Sequence, residues 1–140
     1  MLKKELEESY IRILQRELVP ALGCTEPIAL AYAAAVAKKV LGQMPERVAI
    51  GASGSIIKNV KSVIVPNTDH LKGIPAAAAA GIVAGDPDKE LEVIAHVTED
   101  QVKEMREFLD KTPISVEHVD NGLTFEIVVT LFKGDDYAKV

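Results

Sequence analysis

Residues 25–52 read TEPIALAYAAAVAKKVLGQMPERVAIGA. Thr25 can serve as an N-cap, Glu26 and Pro27 fall in the first turn behind it, and alanine then recurs up to Leu41, where Gly42 ends the run. Alanine is the best helix former, and a helix built from it has thin faces that a neighbouring helix or a second chain can approach closely. Past Pro45 the pattern changes: Glu46 to Ala52 is β-branched and bounded by Gly and Ser, which reads as a strand. A helix feeding directly into a strand is the unit of a domain that mixes the two.

The same alternation extends outward. Upstream, Leu6, Tyr10, Ile13, Leu14 and Leu18 recur at three- and four-residue spacings, predicting an amphipathic helix over 5–19 that ends before Pro20. Downstream, Ile56 to Asn59 can form a helical turn and Val60 to Val65 reads as a second strand. Ile74 to Ala84 is another alanine-rich helix, stopped by Gly85 and followed by a turn at Asp86-Pro87-Asp88. Leu91 to Val97 reads as an apolar strand, and Thr98 with Gln101 forms a capping-box pattern opening a helix to Asp110. Ile114 to Val119 and Leu123 to Phe132 flank Asn121-Gly122, a strong hairpin signal, with Leu123, Phe125, Ile127, Val129 and Leu131 facing the core. Gly134 to Val140 shows no finished element. The expectation is one α/β (α+β) domain over 1–140, with a mixed or antiparallel sheet and helices packed on one side.

Composition bounds the function. The 140 residues are 48% hydrophobic and 26% charged, with 9 Gly and 7 Pro, which excludes a disordered or low-complexity chain. Sixteen Lys+Arg against 21 Asp+Glu give a net charge of −5, arguing against nucleic acid or an anionic membrane surface as a general partner. The apolar runs 28–37 and 74–84 are too short to span a bilayer. A single cysteine rules out an internal disulfide framework, and no secretory leader is legible, so the cytoplasm is the expected compartment.

Three segments carry chemistry. Cys24 stands immediately before a predicted helix N-terminus, where the helix dipole and unsatisfied N–H groups lower a thiol's pKa, so a thiolate there can be a base, a nucleophile or a metal ligand. The competing reading is a small buried hydrophobe. The stretch 51–59, GASGSIIKN, leaves a strand with hydroxyls, an ammonium and an amide. Its backbone N–H groups and Lys58 suit a carboxylate or phosphate, although it has neither the Walker ending nor the dinucleotide glycine spacing, and an ordinary polar turn explains it as well. In Asn67-Thr68-Asp69-His70, Asp69 and His70 can make an acid/base pair, against the plainer reading of a surface loop. His96 and His118 read as packed or exposed strand residues. With one cysteine and no histidine pair at ligand spacing, the chain cannot complete a zinc or iron–sulfur site by itself.

Gly23-Cys24-Thr25-Glu26-Pro27 before an alanine-rich helix, Ser53-Gly54-Ser55-Ile56-Ile57-Lys58-Asn59, Val65-Pro66, and Leu71-Lys72-Gly73-Ile74 before further alanines together resemble the amino-terminal part of the L-cysteine desulfidases, relatives of the iron–sulfur-dependent L-serine dehydratases. The resemblance runs in order and spacing from Leu18 to about Val97. It implies a lyase that needs no pyridoxal phosphate and converts L-cysteine to pyruvate, ammonia and sulfide, with a [4Fe-4S] cluster in the complete enzyme but none on this chain alone. It maps the family's proton acceptor onto Cys24, and chemistry then makes Ser53, Lys58 and Asn59 candidates for holding the amino acid's carboxylate or orienting the loop. The family's cluster-ligating cysteines lie in a longer carboxy-terminal region, so the resemblance further implies a fragment, a subunit whose cluster-bearing partner is separate, or a remnant. The loop 67–70 departs from the more glycine-rich loop expected there. The other class of function open to these residues is a non-catalytic module that binds a small molecule or a partner, and the alanine helices leave a homo-oligomer open.

Overall fold

The computed structural model describes residues 25–61, 63–120, 122 and 126–140. The expected helix over 5–19, Cys24 and the Leu123 to Phe125 part of the expected strand lie outside the described residues. In chain order the elements are α1 (Thr25–Leu41), β1 (Arg47–Ala52), α2 (Gly54–Val60), α3 (Gly73–Ala84), a 3-10 turn (Pro87–Glu92), α4 (Glu99–Lys111), β2 (Ile114–His118), β3 (Ile127–Lys133) and β4 (Asp136–Lys139). They form an α/β fold with a four-stranded mixed sheet in the order β2-β1-β3-β4 and helices packed on one side.

The central strand β1 explains this arrangement. Val48, Ile50 and Ala52 alternate into the core while Arg47, Ala49 and Gly51 face the other way. Its neighbour on one edge is β2, parallel, with Val48 opposite Ile114 and Ala52 opposite His118. On the other edge β3 runs antiparallel, placing Val129 beside Ile50 and Leu131 beside Val48, all fully or almost fully buried. On the opposite face the guanidinium of Arg47 lies 3.8 Å from the centre of the Phe132 ring.

The helix-side layer is held by close backbone approach. Ala31, Ala35, Ala77 and Ala80 are buried, and a Cβ built on Gly81 of α3 would lie 2.1 Å from the Ala31 carbonyl oxygen of α1. A Cβ on Gly85 would lie 2.8 Å from Ala35 Cβ. Small residues four apart on α1 and on the segment of α3 that ends at Gly85 thus face one another, and the thin faces expected of the alanine helices are used against each other.

Helix α4 starts as its sequence requires. The Gln101 N–H donates to Thr98 Oγ1 at 3.1 Å, the Thr98 N–H donates to Gln101 Oε1 at 3.0 Å, and Met105 and Phe108 bury the inner face. Thr98→Ala is expected to cost about 1 kcal/mol of stability, read as a lower urea midpoint, with Thr98→Ser retaining most of it.

Four expectations are corrected. Val60 to Val65 is not a strand: α2 runs through Val60 because Ile56 and Val60, four apart, both bury on one helical face, leaving a single bridge between Ile64 and Lys72. Leu91 to Val97 is not a strand either. Val93 and Ile94 are buried side by side instead of alternating, and the bonds Asp86 N–H to Val93 O and Ala95 N–H to Glu92 O fold the segment into turns. The strands around Asn121-Gly122 form no hairpin, because β1 lies between them and takes β2 in parallel and β3 antiparallel. Two strands flanking a local turn signal need not pair when a more buried strand offers both of its edges.

The hairpin lies instead where no element was expected. Gly134 (φ 59) and Asp135 turn β3 into β4, pairing Lys133 with Asp136 and Leu131 with Ala138. Glu46 pins that turn, accepting from the Gly134 N–H at 3.0 Å and from Lys133 Nζ at 3.2 Å. The Gly134 hydrogen bond, then the Lys133 ammonium, hold the Glu46 carboxyl below the usual carboxylate range.

Candidate functional site at the carboxyl ends of the parallel strands

In open sheets of this type, ligands bind outside the carboxyl ends of parallel strands, where neighbouring connections diverge. Here β1 and β2 are the parallel pair, and their carboxyl ends, Ala52 and His118, are adjacent in register. The Val119 N–H donates to the Ala52 oxygen at 2.9 Å and keeps the two chains together past the last pair.

From Ala52 the chain passes through Ser53 into α2. Ser53 is 2% exposed; its N–H donates to the Glu126 oxygen at 2.9 Å, and its Oγ accepts from the Glu126 N–H at 3.1 Å. Although it occupies the N-cap position of α2, its side chain makes no capping bond. Ser53 therefore ties the end of β1 to the residue before β3 and orients the loop.

Helix α2 presents three faces. Ile56 and Val60 point into the core. Ser55 and Asn59, four apart, share a second face, from which Asn59 Nδ2 donates to Glu26 Oε2 at 3.3 Å. Gly54 and Lys58 share the third, toward β2: a Cβ on Gly54 would lie 3.3 Å from His118 Nε2. Lys58, Asn59 and His118 are exposed.

The bond between Asn59 and Glu26 brings together two of the segments singled out in the sequence. Glu26 is in the first turn of α1, and Cys24 precedes that turn in the chain by one residue. Lys58 and Asn59 lie on the helix that meets it, and Ser53 fixes where that helix begins. The third segment is not drawn in by any contact among the described residues. Asp69 is held by Arg106, which reaches its carbonyl at 3.2 Å and its carboxylate at 3.3 Å, while His70 Nδ1 lies 3.6 Å from Asp69 Oδ1 with both side chains exposed. Asn67, Asp69 and His70 all have positive φ, and fully buried Thr68 donates to the Val65 oxygen at 2.7 Å, so this is a tightly tied surface loop.

Sequence reading passed over Glu26 as a site residue and dismissed His118. Nothing in the sequence pairs His118 with position 54, since only the parallel register of β1 and β2 does so. Among the described residues no group of three or more His, Cys, Asp or Glu could hold a metal ion, and no helix is long and apolar enough to cross a membrane.

Comparison with known proteins places this chain beside much longer ones. It is 53% identical over 133 residues to a UPF0597 protein of Desulfitobacterium hafniense, covering 95% of this chain and 31% of that protein. It is 50% identical over 129 residues to a UPF0597 protein of Treponema denticola and 46% identical over 129 residues to one of Fusobacterium nucleatum, in each case 92% of this chain and 30% of the relative. The chain thus spans about a third of the length of the relatives it matches. No family model matches it, and no solved structure matches it.

Proposed function

We propose that this chain is the substrate-side part of an L-cysteine desulfidase-like or L-serine dehydratase-like lyase, working in the cytoplasm on a small amino acid and inactive without a cluster-bearing region. The observation that carries this reading is the contact between Asn59 and Glu26, which brings the first turn after Cys24 against the helix bearing Lys58 and Asn59. Base and carboxylate-holding groups must meet in one place for an elimination, and these two segments are among those that carry the resemblance.

In this reading the Cys24 thiolate takes the α-proton of L-cysteine. The electron pair becomes the Cα–Cβ double bond and the Cβ–S bond breaks, releasing hydrosulfide, which leaves with a proton as hydrogen sulfide. The remaining 2-aminoacrylate tautomerises and takes up water to give pyruvate and ammonia. With L-serine the same steps release water. A thiolate tuned toward neutral pH suits the first step, because a general base works best with a pKa near the operating pH. Lys58 and Asn59 hold the amino acid, and Ser53 fixes the loop that bears them.

The resemblance carries a [4Fe-4S] cluster in the complete enzyme. Cys24 is the one thiol of the chain, so a thiolate-ligated cluster would take its other ligands from residues outside this chain. The relatives, three times as long, have room for such a region.

The test is a paired assay of sulfide and pyruvate release from L-cysteine. The 140-residue chain alone is expected to release neither, and a protein of the relatives' full length that contains it is expected to release both in equal amounts. Release by the isolated chain would remove the need for a further region. No release from either amino acid by the long form would favour the non-catalytic binding module.

A further inference from the structure

The imidazole of His118 is the group at this end of the sheet that the reaction above does not use. It lies on the helix-side face of β2, beside buried Ala52, yet the helices leave that part of the face open: Val116, two residues earlier on the same face, is 37% exposed. Among the described residues, none hydrogen-bonds to either ring nitrogen of His118. The neighbouring position is a glycine for which backbone conformation gives no reason. Gly54 has no positive φ, and as the first residue of a helix it lowers helix stability relative to alanine. What its missing side chain provides is the space against the imidazole, 3.3 Å from Nε2. One turn along the same helical face is Lys58, whose side chain is exposed.

We propose that His118 and Lys58 together take the carboxylate of the amino-acid substrate, His118 through its protonated ring and Lys58 through its ammonium. This rests on the lyase reading and adds to it a second strand as part of the site. An imidazolium and an ammonium on exposed side chains at the face that bears Gly54 suit a carboxylate, which accepts several charge-assisted hydrogen bonds at once. The other charged groups on the elements that meet here are Glu26 on α1, Lys61 at the end of α2, and Glu117, Asp120 and Glu126 on the strand ends. Glu117 is on the opposite face, beside Gly51.

The consequence is a pH-dependent affinity. A protonated ring binds the carboxylate and a neutral one does so weakly, so affinity falls as pH rises from 5 to 8, the interval in which histidine side chains change charge. The experiment measures binding of L-serine to the 140-residue chain at pH 5.5 and 8.0, following the imidazole resonances of His118 and the backbone amides of 53–59 by NMR. L-serine is expected to move the His118 resonances. His118→Gln is expected to weaken binding at pH 5.5 about tenfold or more and to remove most of the pH dependence, and Lys58→Gln to weaken it comparably while keeping that dependence. L-Serinamide, which lacks the carboxylate, is expected to be insensitive to both changes. Binding of L-serine with wild-type affinity and pH dependence in His118→Gln would overturn the role of His118 and leave the lyase reading standing. Absence of saturable L-serine binding at either pH would overturn the assignment of both residues, while the release assay of the long form decides the lyase reading separately.

Discussion

Gly81→Ala is expected to destabilise the domain by about 3 kcal/mol or more, although by helix propensity alone the same change gains about 1 kcal/mol. The two effects have opposite signs, so the measurement decides between them. Gly81 lies inside α3 and its propensity cost is real, but a methyl there would sit 2.1 Å from the Ala31 oxygen, 2.9 Å from its carbonyl carbon and 3.0 Å from its Cα. All three are backbone atoms of α1, so relief requires the two helices to move apart. That movement would loosen the buried alanines along both helices and shift the first turn of α1, where Glu26 meets Asn59. Set against a typical stability of 5–15 kcal/mol, the loss is large. Urea denaturation gives the answer directly: a lower midpoint with an unchanged slope is the expected result, and a raised midpoint would show that the helices do not approach as described.

Cys24→Ser is expected to lower elimination by the full-length form about 100- to 10,000-fold, the range in which a positioned acid or base contributes. A serine hydroxyl nearly matches the thiol in size but does not ionise near neutral pH, so it removes the base and keeps the shape. Circular dichroism and the thermal midpoint should change little. The binding-module reading expects the reverse: Cys24→Ala there leaves ligand binding intact and costs only the stability of a small core truncation. Turnover and midpoint measured on the same preparations therefore separate a lost base from a lost core contact.

How much of this was legible in the sequence depends on what kind of signal each part carries. The alanine helices were legible because helix propensity, an early proline and a terminal glycine all agreed over residues 25–42, and an alanine-rich run with a terminal glycine marked residues 74–85. The capping box of α4 was legible because it is a contact over three residues. The segments that misled were those in which β-branched residues served other packing. Val60 completes a helical face with Ile56, and Val93 with Ile94 fills the core from a turn. β4 was missed because Asp136, Tyr137 and Lys139 carry almost no apolar signal, with Ala138 alone buried along it. The Asn121-Gly122 signal failed because strand partners are chosen across the whole sheet.

The site divides in the same way. Cys24, Ser53, Lys58 and Asn59 were singled out as residue types in sequence segments, and the fold then sets Asn59 against the first turn of α1, while Ser53 ties to Glu126 and Lys58 shares the face of α2 toward β2. Glu26 was visible as part of its motif but not as the link between segments. His118 was invisible as a partner of Gly54, because 64 positions separate them and only the parallel pairing of β1 with β2 sets them side by side.

The central claim is that Cys24 is an activated base in an accessible site, and the pH dependence of its alkylation by iodoacetamide in the folded chain tests it most directly. The expected result is fast modification with a midpoint well below the ordinary thiol value of about 8.5, slowed when L-serine is present. A thiol that reacts only after denaturation would contradict the claim and return Cys24 to the core.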